Sequence, residues 1–132
     1  MKVGDLIFVY GSLRQGESAD LSLSSGCEFV GEDSVNGLLF DISWFPGVVL
    51  TKNSGFDPKL PEVYGEVYRI KDAKMTRQLD SYEGYPNLYG RSQVETSRSR
   101  FVWVYTYNGI VGDNQRIMSG DWLNQDLERK SA

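Results

Sequence analysis

The chain contains no histidine. That absence removes serine–histidine and cysteine–histidine nucleophilic catalysis, and with them the commonest transition-metal ligand. Cysteine is nearly absent too. Cys27 stands alone among 132 residues, so no disulfide can close within the chain, and a cytoplasmic setting is expected. Without a base to activate it, Cys27 reads as a small buried hydrophobe. Long apolar runs are missing: the first, LIFVY at 6–10, is short and follows Asp5. Neither a signal peptide nor a membrane span is therefore expected. Basic charge is in deficit, with 14 Lys and Arg against 18 Asp and Glu and a net charge of −4. Nucleic-acid binding needs a basic patch to displace counterions, so no nucleic-acid partner is expected. What remains for proton transfer near neutral pH is a tuned carboxylate, a lysine, a tyrosine or the one thiol.

What is present suits one globular domain, 1–132. Hydrophobic residues make up 40% and charged residues 24%, with no biased tract. A chain of this length buries roughly two thirds of its unfolded surface, enough for a core without staples. Strands dominate the pattern. LIFVY (6–10) is apolar throughout and stops at Gly11, which predicts a buried strand entering a tight turn. EFVGE (28–32) and VNGLLFDI (35–42) predict two paired strands, and GVVLT (47–51) a short one. Residues 52–62 carry glycine and two prolines and read as a loop. VYGEVYRI (63–70) reads as a strand whose inner glycine marks a bend or bulge. Tyr64 and Tyr68 share one face of it and read as packing. LYGRSQVET (88–96) and RFVWVYTYN (100–108) predict a hairpin across Ser97–Arg98–Ser99, with Arg98 and Arg100 as a solvated tip. The second of these is apolar or aromatic almost throughout, which predicts burial on both faces, and Trp103 reads as core.

The clearest helix is 72–83. Asp72 is placed to cap it, Met75, Leu79 and Tyr82 recur at i, i+4, i+7, and Gly84 stops it. ESADLSL (17–23) predicts one or two helical turns. A last helix is expected over about 120–129, capped by Ser119, with Trp122 as its anchor. Six or seven strands, few helices and no βαβ rhythm give an α+β class: a small, mixed, mostly antiparallel β-barrel with a few short flanking helices.

Seven segments occur in a telling order: FVYGSLR (8–14), FPGVVL (45–50), VYGEVYRI (63–70), LDSYEGY (79–85), YGRSQV (89–94), WVYTY (103–107) and SGDW (119–122). In that order the chain resembles the gamma-glutamylcyclotransferase-like family. It is most similar to the small members near the gamma-glutamylamine cyclotransferase branch and to bacterial proteins of unassigned substrate. The resemblance covers Leu6 to Trp122. It implies a small mixed barrel with a pocket at one end and a small-molecule γ-glutamyl substrate. It also implies a reaction in which the substrate's α-amine attacks its own γ-amide carbonyl. 5-Oxoproline and a free amine leave, with no metal or cofactor.

Ring closure of this kind leaves the protein four tasks: take a proton from the α-ammonium, give one to the leaving amine, hold the oxyanion and grip the α-carboxylate. One carboxylate serves the first two if its pKa is lifted. Glu83 is the candidate, because it ends a helix, where the dipole disfavours negative charge, and because Tyr82, Gly84 and Tyr85 flank it. A solvated glutamate at a helix end is the plainer alternative. Tyr10, Gly11, Ser12, Leu13 and Arg14 are the candidates for binding. Gly11 permits a turn in which successive N–H groups converge on an anion. The alternative is a plain strand-to-loop turn. Arg14 reads either as a partner for a substrate carboxylate or as a surface charge. Phe45, Pro46 and Gly47 form a pocket wall or a simple bend. The resemblance implies that Tyr89 and Tyr105 complete the pocket, with plain core as the alternative for Tyr105, while Arg91 reads as the partner of a buried acid rather than as a substrate ligand. Loop 52–62 is expected to cap the pocket and set the choice of amine. A non-catalytic binder that keeps the pocket is the alternative function. The oligomeric state is open between monomer and homodimer.

Overall fold

The computed structural model describes residues 1–52 and 54–124. Six strands form one mixed sheet: β1 (Leu6–Val9), β2 (Cys27–Asp41), β3 (Pro46–Leu50), β4 (Glu62–Ile70), β5 (Tyr89–Glu95) and β6 (Phe101–Tyr107). Their spatial order is β3-β2-β4-β1-β6-β5. Pairing is antiparallel except between β1 and β6, which run parallel. The sheet curls into a half-barrel, and the Tyr89 hydroxyl, on one edge strand, donates to the Pro46 carbonyl on the other. The expected small mixed barrel is thus present, with one α-helix, α1 (Lys74–Glu83), and three single 3₁₀ turns beside it among the described residues.

β1 shows why its run is apolar without alternation. It lies between β4 and β6, and both its faces are covered. Ile7 and Val9 face the cluster that includes Met75 and Leu79 of α1. Phe8 and Tyr10 face the second cluster, built from Val35, Leu39, Val63, Val67, Val102 and Val104. The apolar stripe of α1 thus docks on the outer face of the central strand. Ala73 holds the N-cap position, and Asp72, two residues ahead of the helix start, accepts the Lys74 N–H at 2.9 Å. Gly84 ends it at φ 65°, a left-handed position that suits glycine.

Several expectations are corrected. The two strands predicted at 28–32 and 35–42 are one strand, β2. Asp33 and Ser34 look like a polar break, but their side chains are buried and hydrogen-bonded, so the ladder to β4 continues past them. The irregularity expected at Gly65 lies instead on β2, between Phe29 and Gly31. β6 is not buried on both faces, since Phe101 is 60% exposed and only Val102, Val104 and Tyr105 are buried. Trp103 lies outside the core and donates its indole N–H to Asp5 at 3.2 Å. Tyr64 is half-exposed although Tyr68, on the same face, is fully buried. Arg100 is no solvated tip, because it pairs with Asp33 at 3.0 Å. The hairpin turn itself forms at 97–99. Of the last predicted helix, Trp122–Asn124 form a 3₁₀ turn capped by Asp121, and the remainder lies outside the described residues. Cys27 is buried as expected, and burial pushes its thiol up to about 11. No helix among the described residues is long and apolar enough to cross a membrane.

Candidate functional site

The topology gathers the candidate residues at one end of the half-barrel. β1 and β6 run parallel, so both deliver their C-terminal ends there. β5 runs antiparallel to β6 and begins there, with Tyr89 opposite Tyr107. The start of β3 and the end of α1 close the ring. The space between them is a cavity of about 240 Å³. Tyr10, Gly11, Ser12, Leu13, Pro46, Glu83, Tyr89 and Tyr105 all line it, together with Phe45, Tyr82 and Leu88.

Glu83 is the last residue of α1 and lies partly buried in this wall. Among the described residues no hydrogen bond or ion pair reaches its carboxylate. Loss of water lifts its pKa from the ordinary carboxylate range to about 7. Of its sequence neighbours Tyr82 lines the cavity with it, and its charge is felt by Tyr10, just past β1, Tyr89 of β5 and Tyr105 of β6. Burial raises the pKa of all three phenols, so they stay neutral.

Those phenols are already committed. Tyr10 donates to the Tyr105 carbonyl at 2.7 Å, Tyr89 to the Pro46 carbonyl, and Tyr105 to the Asp80 carboxylate at 2.6 Å. Their rings form walls, and their hydroxyls hold the frame. Ser12 and Tyr82 share a hydrogen bond of 2.5 Å, which ties the loop after β1 to the end of α1. Among the described residues of the cavity wall, Glu83 is the one carboxylate, and it has no hydrogen-bond partner there.

The loop after β1 is folded by its own carbonyls. Gly11 accepts from Arg14 N–H, Ser12 from Ala19 and Leu13 from Leu21, at 2.9–3.0 Å. Among the described residues no acceptor meets the backbone N–H of Ser12 or of Leu13. Gly11 has a role other than the expected one. Its φ is not in the left-handed region, but a Cβ there would sit 2.5 Å from Cγ of Pro46. Glycine is needed so that β3 can close on the loop.

Arg14 does not line the cavity. It is 7% exposed and binds Glu66 at 3.2 Å and Asp121 at 2.8 Å. Glu66 also accepts from Gln15 N–H and the Tyr68 hydroxyl, so this buried cluster anchors the loop to β4. Both readings offered for Arg14, substrate partner and surface charge, give way to this one. Arg91 does pair with an acid, meeting Asp80 at 3.1 and 3.2 Å while stacking over Tyr85 and Trp103. The described residues of loop 52–62 contribute nothing to the cavity wall, and the expected cap is not formed by them. Sequence reasoning missed Asp80 and Leu88. Asp80 lies one helical turn before Glu83, a spacing legible in LDSYEGY, whereas nothing local marks Leu88.

Comparison with known proteins finds relatives over nearly the whole chain. The family model described as "Gamma-glutamyl cyclotransferase, AIG2-like" matches residues 7–124. The gamma-glutamylcyclotransferase family protein YtfP of Escherichia coli K12 is 35% identical over 123 residues, covering 91% of this chain and 97% of its own. The solution structure of ytfP from Escherichia coli superposes with a TM-score of 0.63 at 34% identity, over 92% of this chain and 98% of that one. The uncharacterized protein PH0828 of Pyrococcus horikoshii shares the fold, with a TM-score of 0.71 at 24% identity over 96% and 97% of the two chains.

Proposed function

The chain belongs to the gamma-glutamyl cyclotransferase, AIG2-like family, and on that premise we propose that it cyclises γ-glutamyl amides, releasing 5-oxoproline and a free amine. The observation that supports this reading is Glu83, a carboxylate partly withdrawn from water, without a partner among the described residues and with its pKa lifted to about 7. It lines the same cavity as the loop after β1, whose Ser12 and Leu13 N–H groups meet no acceptor among the described residues.

The chemistry follows from that pairing. The Glu83 carboxylate takes a proton from the substrate's α-ammonium. The freed amine nitrogen attacks the γ-carbonyl carbon, forming the ring C–N bond and an oxyanion. As the oxyanion collapses, the γ-amide C–N bond breaks, and the proton held by Glu83 passes to the departing amine. The ring nitrogen still carries two hydrogens after the attack and gives up the second through the Glu83 carboxylate to the released amine, which departs as an ammonium, so protons and charge balance and Glu83 returns to its starting state. Both partners of the attack belong to one molecule, so alignment alone can supply ~7–11 kcal/mol of the barrier. The N–H groups of Ser12 and Leu13 suit an anion, either the α-carboxylate or the oxyanion. The walls of Tyr10, Tyr89 and Tyr105 keep water from the reacting atoms. A soluble cytoplasmic enzyme using a small-molecule substrate fits this reading.

The test is 5-oxoproline release from γ-glutamyl-alanine, γ-glutamyl-ε-lysine, glutathione and a set of γ-glutamyl amines. Product from any of these, lost in Glu83→Gln, is the expected result. Silence across the set from a folded protein that still binds a γ-glutamyl compound would replace the enzyme with a binder.

A further inference from the structure

Residues 116–120 cross from β2 to the start of β4. Ile117 N–H donates to the Leu39 carbonyl at 2.8 Å, and the Gly120 carbonyl accepts from Tyr64 N–H at 2.9 Å. This crossing forms one wall of a second cavity of about 240 Å³, which shares no lining residue with the candidate site. Two charged side chains line it, Arg116 and Glu62. The Arg116 guanidinium has no hydrogen-bond or ion-pair partner among the described residues, and its Nε is buried. Glu62 accepts from Ser34 Oγ at 2.6 Å through one carboxylate oxygen, and no donor among the described residues meets the other. No ion pair joins Arg116 to Glu62.

A buried donor without a partner is rare in a folded chain and asks for an explanation. Water in the cavity can satisfy the Arg116 Nε but leaves its charge unmatched, whereas a carboxylate supplies acceptor and charge together. A bare anion such as phosphate would also face the Glu62 carboxylate, whose charge repels it. An ammonium group on the same ligand turns that repulsion into attraction. The wall also carries Leu39, Leu60 and Ile117, which suit a short apolar side chain.

We propose that this second cavity binds a small zwitterionic α-amino acid, with its carboxylate on Arg116, its ammonium on Glu62 and its side chain against Leu39, Leu60 and Ile117. The proposal stands apart from the cyclotransferase reading, because neither Arg116 nor Glu62 lines the first cavity.

The test is a titration of the full chain with L-alanine, followed through its backbone amide NMR shifts. Saturable shifts are expected at Leu39, Glu62, Ile117 and Gly120, and not at Ser12 or Tyr89. Propionate, which lacks the ammonium, and ethylamine, which lacks the carboxylate, should each bind roughly 10–100-fold more weakly than alanine. Arg116→Met removes the guanidinium and should weaken alanine binding by roughly the same factor. Glu62→Gln keeps an acceptor for Ser34 and should bring alanine and propionate to within about 3-fold of each other. Should Arg116→Met fail to fold, the three ligands on the wild type and the Glu62→Gln comparison decide the matter. Alanine shifts confined to the first cavity, or no saturation at all, would overturn the proposal. Equal binding of alanine and propionate to the wild type would overturn it too, as would undiminished alanine binding in a folded Arg116→Met.

Discussion

Two carboxylates leave water at opposite ends of the β5–β6 hairpin, and they are treated in opposite ways. Asp33 on β2 has a fully buried side chain and five donors: Thr96 at 2.6 Å, Ser34 N–H at 2.9 Å, Ser97 at 3.0 Å, Arg98 N–H at 3.2 Å and Arg100 at 3.0 Å. Burial alone would raise its pKa, but the donors outweigh burial and hold it below the usual carboxylate range. Glu83 keeps the burial and has none of the donors, so its pKa rises to about 7. Unpaired burial is costly in a folded chain. The contrast between Asp33, so fully satisfied, and Glu83, which meets no donor among the described residues, supports the proposal that Glu83 exchanges a proton with the substrate.

Substitutions should separate the two. Glu83→Gln keeps shape and removes the proton carrier, so 5-oxoproline release should fall by ~10²–10⁴-fold with the fold retained. Wild-type turnover in that variant would remove Glu83 from the chemistry. Asp33→Ala should act on stability instead. It strands the hydroxyl of Thr96 and the N–H of Ser34 and unpairs Arg100, at a cost of about 3 kcal/mol. Urea denaturation checks this, and a loss below ~1 kcal/mol would mean that the cluster does not hold the hairpin turn to β2.

What could be read from the sequence divides along the same line. Local signals were sufficient for β1, whose apolar run reflects two covered faces, and for α1 with its Gly84 stop. They were sufficient also to single out Glu83, because a helix end next to tyrosines is a local pattern. Where satisfaction comes from far along the chain, local reading failed. Asp33 looked like a break because its partners Thr96 and Arg100 lie on another hairpin. Arg14 looked free because Glu66 and Asp121 are distant in sequence. The walls around Glu83 were sought in its sequence neighbours and are supplied mainly by β5, β6 and the residues after β1. Gly11 was read through its backbone freedom, although Pro46 is what requires it. Gly11→Val should therefore cost about 2 kcal/mol by overpacking and also narrow the cavity, lowering affinity for a γ-glutamyl compound. An unchanged melting temperature would show that Pro46 yields without cost.

The contrast has a pH signature. Folded Glu83 binds its proton up to about pH 7, whereas the unfolded side chain releases it near the ordinary glutamate value of 4.5. Between those values the folded state holds more protons than the unfolded one, so this group's contribution to stability declines as pH rises through the window and is flat above it. Glu83→Gln abolishes the decline. Relative to wild type the variant should gain stability between pH 4.5 and 8, on the order of 2 kcal/mol. Parallel stability curves for the two proteins would mean that Glu83 is hydrated in solution. The kcat/KM profile should show an acidic limb near pH 7 from the same group.

Asp80 stands between the two extremes and gives the smallest effect. It accepts the Tyr105 hydroxyl at 2.6 Å and a two-pronged contact from Arg91. Tyr105→Phe removes one of three donors and leaves the ring in the cavity wall. If Tyr105 serves as frame, the variant should lose about 1 kcal/mol of stability, with kcat changed by less than about 3-fold. If its hydroxyl acts on substrate, kcat should fall much further while stability hardly moves. The ratio of the two losses therefore assigns the residue. The bond to Asp80 makes the first outcome the expected one, because a phenol already donating to a carboxylate has no proton left for the substrate.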